Sequence, residues 1–320
     1  MIIGITKEIK DGEGRVALLP EAVRSLVRQG ITVLVEKGAG CSAGFPDMLY
    51  KKAGGQLINQ ASRVWQRADL IVKVKEPLLQ EFKYFRPGLK LFCFLHLAAN
   101  PRLVVALKKH RVKIYPFEEY RNAQGLTAIL HPMSEIAGKL SIALGLHFLG
   151  RVQGGKGVWP NHVVVVGAGS VGLAATQVAL GVGARVSLFD VNKKKGLSHL
   201  KRNPQLKFYL SRPQTLSTQM KHADIVIGAV HVPKSKTPHV IRAAMVKKME
   251  PGSVLVDVAV DQGGASETTH PTSHSHPSYV KYDVIHVAIP NIPALVPRTA
   301  SIALSKVVAP LVPKVLKNSN

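Results

Sequence analysis

One hexapeptide, Gly167-Ala168-Gly169-Ser170-Val171-Gly172, restricts the possible folds of this chain more than any other sequence feature. It follows residues 163–166, four valines typical of a buried parallel strand, and it precedes residues 173–180, a run typical of a helix. The three glycines permit a tight turn, close approach of a pyrophosphate to the backbone, and close packing of helix against strand. The first helical turn then offers unpaired N–H groups to phosphates. The motif therefore predicts a Rossmann-type unit that binds a dinucleotide.

The next predicted strand, residues 185–189, ends in an acid that suits the ribose of such a dinucleotide. Asp190 lies about 20 residues beyond Gly167, which is the usual spacing. A carboxylate there accepts hydrogen bonds from ribose hydroxyls and repels a 2′-phosphate, so NAD is favoured over NADP. The lysines at 193–195 weaken that preference. A glycine-rich turn without a ligand is the alternative, and the combination of strand, helix and acid argues against it.

The charge balance raises a second possibility. Lysine and arginine number 43 against 19 acids, which gives a net charge of +24. Such a surplus can mark a nucleic-acid-binding protein. However, the bases are dispersed along the chain and no aromatic stripe accompanies them for base stacking. A generally basic surface is the favoured interpretation, and we expect only weak, sequence-independent retention of nucleic acid that disappears near physiological ionic strength.

Short β-rich runs alternate with helical patterns through the whole chain, which predicts an α/β fold with parallel sheets. In the first half, strands are predicted at 2–6, 31–36, 70–74, 90–94 and 112–116, and helices at 20–29, 61–68 and 101–109. The second half has predicted strands at 163–166, 185–189, 225–228 and 253–257, and a last helix from about Thr299. A long helix at 132–149, followed by a glycine-rich linker at 151–160, joins the two halves.

Several other classes of protein are not favoured. Cys41 and Cys93 cannot form a disulfide framework or a zinc quartet, and His270, His274 and His276 lie in a polar, proline-containing loop rather than on a metal-binding helix. No run of about 20 apolar residues is present, and the first residues lack the apolar block of a signal peptide. We therefore expect a cytoplasmic protein with no metal site and no membrane partner.

Four residues at predicted strand ends or turns are candidates for chemistry: Arg15, Lys75, His96 and Asp261. Two cations can hold a carboxylate and a carbonyl, a histidine can relay a proton near neutral pH, and a carboxylate can stabilise a developing iminium cation. Taken singly, each residue also has an ordinary explanation. The cations could be solvated surface charges, the histidine could belong to the core, and the aspartate could cap a turn.

Seven further sequence motifs occur in one order along the chain: Gly4-Ile5-Thr6-Lys7-Glu8, Glu13-Gly14-Arg15-Val16-Ala17, Val74-Lys75-Glu76-Pro77, Leu95-His96-Leu97-Ala98, Pro132-Met133-Ser134-Glu135-Ile136-Ala137-Gly138, Asp257-Val258-Ala259-Val260-Asp261-Gln262-Gly263-Gly264 and Pro290-Asn291-Ile292-Pro293. With these motifs the chain resembles the alanine dehydrogenases over nearly its whole length. It resembles the NAD-binding subunit of proton-pumping transhydrogenases more distantly. The His96–Ala99 and Asp261–Gly264 segments favour alanine dehydrogenase.

This resemblance implies an NAD-dependent enzyme that oxidatively deaminates L-alanine to pyruvate and ammonia, reversibly. It implies that Arg15 and Lys75 bind the substrate, and that His96 and Asp261 are the catalytic acid/base pair. The implied cofactor contacts are Ser134, Gly167, Gly169, Ser170, Val171, Gly172, Asp190, Lys195, Ser211, Val230, His231, Val258, Ala259, Val260, Asp261, Ile289, Pro290, Asn291 and Ile292.

The resemblance also implies two Rossmann-like domains. The NAD-binding domain, residues 129–297, is inserted into a substrate domain formed by residues 1–128 and 298–320, and a long helix joins them. Family members are homo-oligomers, commonly hexamers. The alternative function is a catalytically silent dinucleotide-binding relative with a regulatory or nucleic-acid-associated role, suggested by the charge of +24. Retention of all four candidate reacting residues argues against that alternative.

The acid at position 190 generates a cofactor prediction. NADH should be used in preference to NADPH, because a 2′-phosphate would meet the Asp190 carboxylate. Asp190→Ala should narrow the preference, as measured by kcat/KM for the two cofactors. Equal catalytic efficiency with both cofactors in the unmodified protein would overturn the assignment.

Overall fold

A computed structural model describes residues 1–122, 125, 127–150, 159–193, 204–232 and 237–317. The chain divides into two α/β units. Unit 1 comprises Met1–Met133 and Pro293–Asn320, and unit 2 comprises Ser134–Ile292. The second unit is thus inserted into the first, so that the chain leaves unit 1 and returns to it.

Unit 1 is organised around a parallel sheet of six strands in the order β3-β2-β1-β4-β5-β6. The strands are β1 Ile2–Ile5, β2 Thr32–Glu36, β3 Gln56–Ile58, β4 Leu70–Val72, β5 Lys90–Cys93 and β6 Lys113–Pro116. The helices between them are α1 Pro20–Arg28, α2 Asp47–Lys52, α3 Ala61–Arg67 and α4 Pro101–Lys109. The direction of strand addition reverses between β1 and β4, and such a reversal is where doubly wound sheets bind ligands.

Helix α1 shows how the sequence specifies these elements. It begins at Pro20, whose fixed φ and missing N–H suit a first helical turn, and it is followed by Gly30 at φ 77°. Val23 and Leu26 are buried on its inner face, one turn apart. The terminating residues and the apolar spacing together give the helix its length and orientation.

Unit 2 contains seven strands in the order β12-β13-β11-β10-β7-β8-β9, with β12 antiparallel and the others parallel. The strands are β7 His162–Val166, β8 Arg185–Asp190, β9 Leu206–Leu210, β10 Ile225–Gly228, β11 Val254–Asp257, β12 Ser278–Lys281 and β13 Val284–Val287. The described helices are α5 Leu130–Leu149, α6 Ser170–Gly181, α7 Pro213–Lys221 and α8 Ala243–Val246. Strand addition reverses between β7 and β10, so this sheet has its own ligand-binding position.

The C-terminal segment returns to unit 1 as α9 Pro297–Val308 and α10 Val312–Lys317, separated by a 3-10 turn at Ala309–Leu311. Residues 297–317 are long and apolar enough to cross a membrane by length and composition alone. In the structure this segment packs into the core of unit 1. Ser301 and Ser305 each accept a backbone N–H, from Val16 and Leu19 respectively. These contacts are those of a core helix.

The predicted fold class is confirmed: both units are Rossmann-like α/β layers. The predicted elements agree with the structure to within a few residues, and the last helix begins at Pro297 rather than Thr299. That helix ends at Val308, just before Pro310, and the short helix α10, which contains Pro313, follows the 3-10 turn. Four short strands were not predicted, namely β3, β9, β12 and β13, because three of them carry polar residues at a sheet edge. Residues 151–158 of the predicted linker lie outside the described residues.

Helix α5 packs closely because two of its glycines face neighbouring elements of unit 2, Gly138 against helix α6 and Gly145 against strand β10. A Cβ added at Gly138 would lie 2.1 Å from the carbonyl oxygen of Val171, and one added at Gly145 would lie 2.9 Å from Cγ2 of Ile225. A methyl group at Gly138 would meet backbone, which cannot rotate away. This contact fixes the helix against the first turn of α6, where the glycine motif lies.

We therefore predict that Gly138→Ala destabilises the protein by about 1–3 kcal/mol, as expected for overpacking against a rigid neighbour. Gly181→Ala is the matched control, because Gly181 also lies in a helix but has no atom within 4 Å of an added Cβ. That change should be neutral or stabilising by up to ~1 kcal/mol. Urea unfolding of the two variants measures the difference, and equal midpoints would contradict the packing argument.

Candidate active site

The candidate residues of unit 1 follow three neighbouring parallel strands. Arg15 lies in the segment after β1, Lys75 lies shortly after β4, and His96 lies shortly after β5. The carboxyl ends of parallel strands meet at one edge of a sheet, so the three residues lie along the same edge. The backbone N–H of Phe94 donates to the carbonyl of Val74 at 3.0 Å, which joins the segments that carry Lys75 and His96.

Arg15 is buried, with 2% of its surface exposed. Its Nε donates to Oε1 of Glu13 at 2.8 Å, its Nη2 contacts Oε2 of the same carboxylate, and its Nη1 lies 3.4 Å from Sδ of Met133. The backbone N–H of Arg15 also donates to Oε1 of Glu13, at 3.0 Å. A bidentate carboxylate contact of this kind fixes the plane of the guanidinium. Arg15 is therefore an oriented buried cation rather than a solvated one.

Lys75 is also buried, and a second carboxylate fixes its backbone. Oε1 of Glu8 accepts the N–H of Val74 at 2.6 Å and that of Lys75 at 3.4 Å. Burial raises the pKa of Glu8 to about 7, against the lowering effect of Lys73, whose Nζ lies 3.6 Å from Oε2 of Glu8. Burial also opposes ionisation of Glu76, but the positive charge of Lys75 next to it keeps the pKa of that carboxyl below its ordinary value. Lys75 thus lies in a buried network of alternating charges.

His96 adopts the left-handed conformation, with φ 45° and ψ 46°. Oε1 of Glu118 accepts the N–H of Leu95 at 2.9 Å and that of His96 at 2.8 Å, and it lies 3.4 Å from Nδ1 of the imidazole. The ring stacks on Phe94 with 5.9 Å between centroids, and the side chain is 29% exposed. A non-glycine residue with positive φ is uncommon and is often found at functional sites. His96 is therefore not an ordinary core histidine.

In unit 2, the glycine motif forms the turn between β7 and α6, beside the reversal point of the sheet. Gly167 has φ 111°, and a Cβ there would lie 2.5 Å from the carbonyl oxygen of Ala229. A Cβ at Gly172 would lie 1.8 Å from the carbonyl oxygen of Gly167, whereas one at Gly169 would meet nothing within 4 Å. The first and third glycines are thus required by packing, and the second leaves space above the turn. This arrangement fits a bound pyrophosphate.

Asp190 ends β8 and is 8% exposed. Its Oδ2 accepts the N–H of Ala168 at 2.7 Å, and its Oδ1 accepts the N–H of Asn192 at 2.8 Å. The carboxylate therefore holds the glycine turn. Each oxygen of an ionised carboxylate can accept a further bond, so this one can also accept ribose hydroxyls.

The other predicted cofactor residues lie beyond the carboxyl ends of β9, β10, β11 and β13, with Ser134 in α5. They are Ser211, Val230, His231, Val258, Ala259, Val260, Asp261, Ile289, Pro290, Asn291 and Ile292. The backbone N–H of Ser211 donates to the carbonyl of Asp190 at 3.0 Å, and Asn291 has φ 67°. Lys195 lies outside the described residues.

Asp261 is exposed in a 3-10 turn after β11, and it belongs to unit 2, whereas Arg15, Lys75 and His96 belong to unit 1. Buried Asp257 shapes its loop. Oδ1 of Asp257 accepts the N–H of Ala259 at 3.0 Å, and Oδ2 accepts the N–H of Ala265 at 2.8 Å and the hydroxyl of Thr269 at 2.6 Å. Burial raises the pKa of Asp257, although these hydrogen bonds oppose the rise.

Sequence reasoning did not assign roles to Glu8, Glu13, Glu118 and Asp257. Three of the four occur inside motifs that the sequence analysis singled out, and for Glu13 and Asp257 the short distance in sequence to Arg15 and Asp261 was a usable signal. Glu8 approaches Lys75 only in the folded chain. Glu118 lies after the next strand, β6, and its position beside His96 arises only from sheet pairing. No sequence signal indicated it.

Metal binding is a possible role for the cysteines and histidines outside this site. Among the described residues, no group of three His, Cys, Asp or Glu side chains could hold a metal ion. Cys41 and Cys93 are both free, and burial raises the pKa of the Cys93 thiol well above its ordinary value.

The chain thus contains two Rossmann-type units. One has the turn and the acid of a dinucleotide site, and the other has buried cations and a histidine with positive φ. Together they define a two-domain dinucleotide-binding protein. Family models identify the lineage more closely: the alanine dehydrogenase/PNT N-terminal domain matches residues 4–137 and the C-terminal domain matches residues 142–320. The chain belongs to the alanine dehydrogenase/PNT family. The resemblance inferred from the motifs is thereby confirmed.

Individual relatives agree with this assignment. The chain is 43% identical over 321 residues to an alanine dehydrogenase of Bacillus subtilis (strain 168), covering 97% of this chain and 84% of the relative. A solved structure of an L-alanine dehydrogenase superposes with a TM-score of 0.92 at 42% identity, covering 100% of this chain and 91% of that one. A transhydrogenase structure from Sinorhizobium meliloti superposes with a TM-score of 0.86 at 26% identity, covering 99% of this chain and 95% of that one.

The contact between Glu118 and the loop of His96 can be tested without reference to activity. Glu118→Ala removes the acceptor of two backbone N–H groups, so amide hydrogen exchange at Leu95 and His96 should become about 10-fold faster or more. Glu119→Ala is the matched control, because the neighbouring Glu119 is exposed. Exchange at Ile71 in the central strand should not change in either variant. Unchanged exchange at positions 95 and 96 in Glu118→Ala would show that the carboxylate does not hold this loop.

Proposed function

We propose that this chain catalyses the reversible, NAD-dependent oxidative deamination of L-alanine to pyruvate and ammonia. One observation carries the proposal: buried, oriented Arg15 and Lys75 lie at the same sheet edge as His96, in a chain that matches alanine dehydrogenases over nearly its whole length. The oriented cations suit a small substrate that carries a carboxylate and a carbonyl.

Arg15 and Lys75 bind and orient this substrate. The guanidinium, held by Glu13, can pair with the carboxylate of alanine or pyruvate, and the ammonium of Lys75 can donate to the carbonyl oxygen. Both cations are buried, where electrostatic attraction is stronger than in bulk water. Because Glu13 fixes the guanidinium of Arg15 and Glu8 fixes the backbone of Lys75 before substrate arrives, little reorganisation is needed on binding.

NAD, when bound, accepts a hydride from the α-carbon of alanine. Gly167, Gly169 and Gly172 would hold its pyrophosphate, and Asp190 would hold the adenine-side ribose. The space above Gly169 and the ribose-accepting capacity of Asp190 support this placement. We propose the cofactor-contact roles of the remaining residues, including Lys195, on the strength of the family resemblance.

His96 moves the protons of the reaction. Loss of hydride from neutral alanine leaves an iminium cation, to which water adds while His96 takes a proton from that water. That proton then passes to the amine. As ammonia leaves, His96 takes the proton of the remaining hydroxyl group and pyruvate forms, and release of this proton to solvent restores His96. Imidazole alternates between acid and base near neutral pH with little distortion. The carboxylate of Asp261 stabilises the cationic iminium more than it stabilises the uncharged carbonyl group of pyruvate.

We further propose that residues 1–128 and 298–320 form the substrate domain, and that residues 129–297 form the NAD-binding domain. The α/β unit that carries the glycine turn, Ser134–Ile292, supports that division. By family resemblance, we also propose a cytoplasmic homo-oligomer, hexameric in form, without a specific nucleic-acid or membrane partner. The presence of Arg15, Lys75, His96 and Asp261 in one chain argues against a catalytically silent role.

Replacement of the proton relay provides the main test. His96→Ala should lower kcat for reductive amination of pyruvate by roughly 10²-fold or more, because it removes the acid/base group. NADH binding, measured by fluorescence titration, should change little. Asp261→Asn should also lower kcat, and it can weaken NADH binding because Asp261 adjoins the proposed cofactor contacts. The assay follows NADH consumption with pyruvate and ammonium.

His110→Ala serves as a control, since His110 lies at the end of α4, away from the sheet edge that carries His96. Its turnover should equal that of the unmodified protein. Near-normal turnover of His96→Ala would refute the proton-relay assignment. Absence of NADH consumption by the unmodified protein would refute the proposed function itself.

A further inference from the structure

A second cavity lies in unit 2, at the edge of the sheet opposite the glycine turn. It has a volume of about 420 Å³ and lies beside the amino ends of β7 and β8, near His162 and Arg185. The glycine turn follows the carboxyl end of β7. Because β7 has five residues, the two positions are separated by about 16 Å along the strand at ~3.3 Å per residue. The amino-end wall of the cavity is therefore distant from the glycine turn, and Tyr209 is the lining residue nearest to the strand ends that carry the proposed dinucleotide site.

The charged residues around this cavity have one sign. Arg185 and Lys207 are exposed at its wall, and the neighbouring cavity that shares Thr218 and His222 adds Lys221 and Lys248. No Asp or Glu lines either cavity among the residues that the structure describes. Four cations at one place attract a ligand that carries several negative charges.

The nearest acids have other contacts. Oε1 of Glu250 lies 3.4 Å from Nδ1 of His222. Oδ2 of Asp224 accepts the backbone N–H groups of Asn161 and His162, at 2.8 Å and 3.0 Å. Within the described part of the chain, neither acid forms an ion pair with Arg185 or Lys207. The two cations are thus available to a ligand.

A hydrogen-bonded chain of polar side chains forms the inner wall. Nε2 of His162 lies 2.8 Å from Oγ of Ser187, which lies 3.0 Å from Oε1 of Gln219. Burial lowers the pKa of His162, and the positive charge of Arg185 acts in the same direction, so this imidazole is neutral near pH 7. The wall therefore offers uncharged polar groups, while the exposed lysines and Arg185 supply the charge.

The cavity also has an apolar side. Pro204 and Tyr209 line it, and the ring of Tyr209 stacks on buried Phe189 with 5.1 Å between centroids. A simple phosphate or sulfate ion would not use this surface. Cavities of roughly 300–1,000 Å³ with apolar walls and a few polar groups typically hold small organic ligands.

We propose that this cavity is a second ligand site, which binds a phosphorylated small molecule of nucleotide size. In this site, Arg185 and Lys207 contact the phosphates, and Tyr209 contacts the ring. Arg185 and Lys207 are suitably placed because they lie on adjacent strands, with Ser187 directly opposite Lys207 in the register. The site is independent of the proposed catalytic function.

The test is calorimetric titration of ATP, and separately of inorganic tripolyphosphate, into the full-length chain with saturating NADH and no divalent cation. NADH fills the site at the glycine turn, so any further binding reports a different location. We expect a Kd of about 1 mM or tighter for ATP. Tripolyphosphate should bind at least about 3-fold more weakly, because it lacks a ring to contact the apolar wall.

The double variant Arg185→Gln, Lys207→Gln should weaken ATP binding at least about 10-fold, since two charge-assisted contacts are lost. The matched control is Lys108→Gln, Lys281→Gln, which removes the same charge from exposed positions elsewhere. It should leave the Kd within about 2-fold of the unmodified value. Both double variants should keep the thermal unfolding midpoint of the unmodified protein, because all four side chains are exposed.

Four results would overturn the proposal. The first is no ATP binding up to 10-fold above the expected Kd. The second is equal weakening in both double variants, which would indicate general attraction to the basic surface. The third is binding that disappears when NADH is added, which would place ATP at the dinucleotide site. Equal affinity for ATP and tripolyphosphate would remove the ring contact from the proposal and overturn its nucleotide-size ligand.

Discussion

The candidate site depends on one kind of interaction: carboxylates, most of them buried, accept hydrogen bonds from backbone N–H groups. Glu8, Glu13, Glu118 and Asp257 each bind the backbone of a turn that carries one of the four candidate reacting residues. Asp190 does the same for the glycine turn. Strand ends leave N–H groups without ladder partners, and a charged acceptor satisfies them more strongly than a neutral one. The backbone that carries each reacting residue is thus held in place before any ligand binds.

This arrangement has an energetic cost, which explains why the carboxylates occur with cations and several donors. Burial disfavours the ionised form, and it raises the pKa of Glu8 to about 7 and that of Asp257 above its ordinary value. The folded state binds a proton at Glu8 more readily than the unfolded state does, so this group favours folding less as pH rises from about 4.5 to about 7. The positive charge of Lys73 offsets part of the cost of burying the Glu8 carboxylate, because it lowers the pKa of that carboxyl. The ammonium of Lys73 also donates to Oε1 of Glu81 at 2.7 Å.

The sequence allowed the two-unit fold and most strands to be predicted, because valine-rich runs, proline at α1 and the glycine hexapeptide act locally. It also identified Arg15, Lys75, His96 and Asp261 as candidates, although the carboxylates that hold the segments of Lys75 and His96, Glu8 and Glu118, are distant in sequence. Glu118 reaches His96 only because β6 pairs with β5. The basic cavity likewise arises because β8 and β9 pair and α7 packs beside them, which no local pattern indicates.

The two units share a strand order around their reversal points yet present different chemistry, and the length of one connection explains the difference. In unit 2, α6 begins at Ser170, immediately after the glycine turn that follows β7, so its N-terminus faces the reversal point and suits phosphate. In unit 1, α1 begins only at Pro20, far beyond the end of β1 at Ile5. The long segment between them places Glu8, Glu13 and Arg15 at the sheet edge instead of a helix N-terminus. The same topology therefore supports two kinds of site. Where the connection from strand to helix is short, the backbone of the helix N-terminus suits a dinucleotide. Where the connection is long, it places side chains that suit a small substrate.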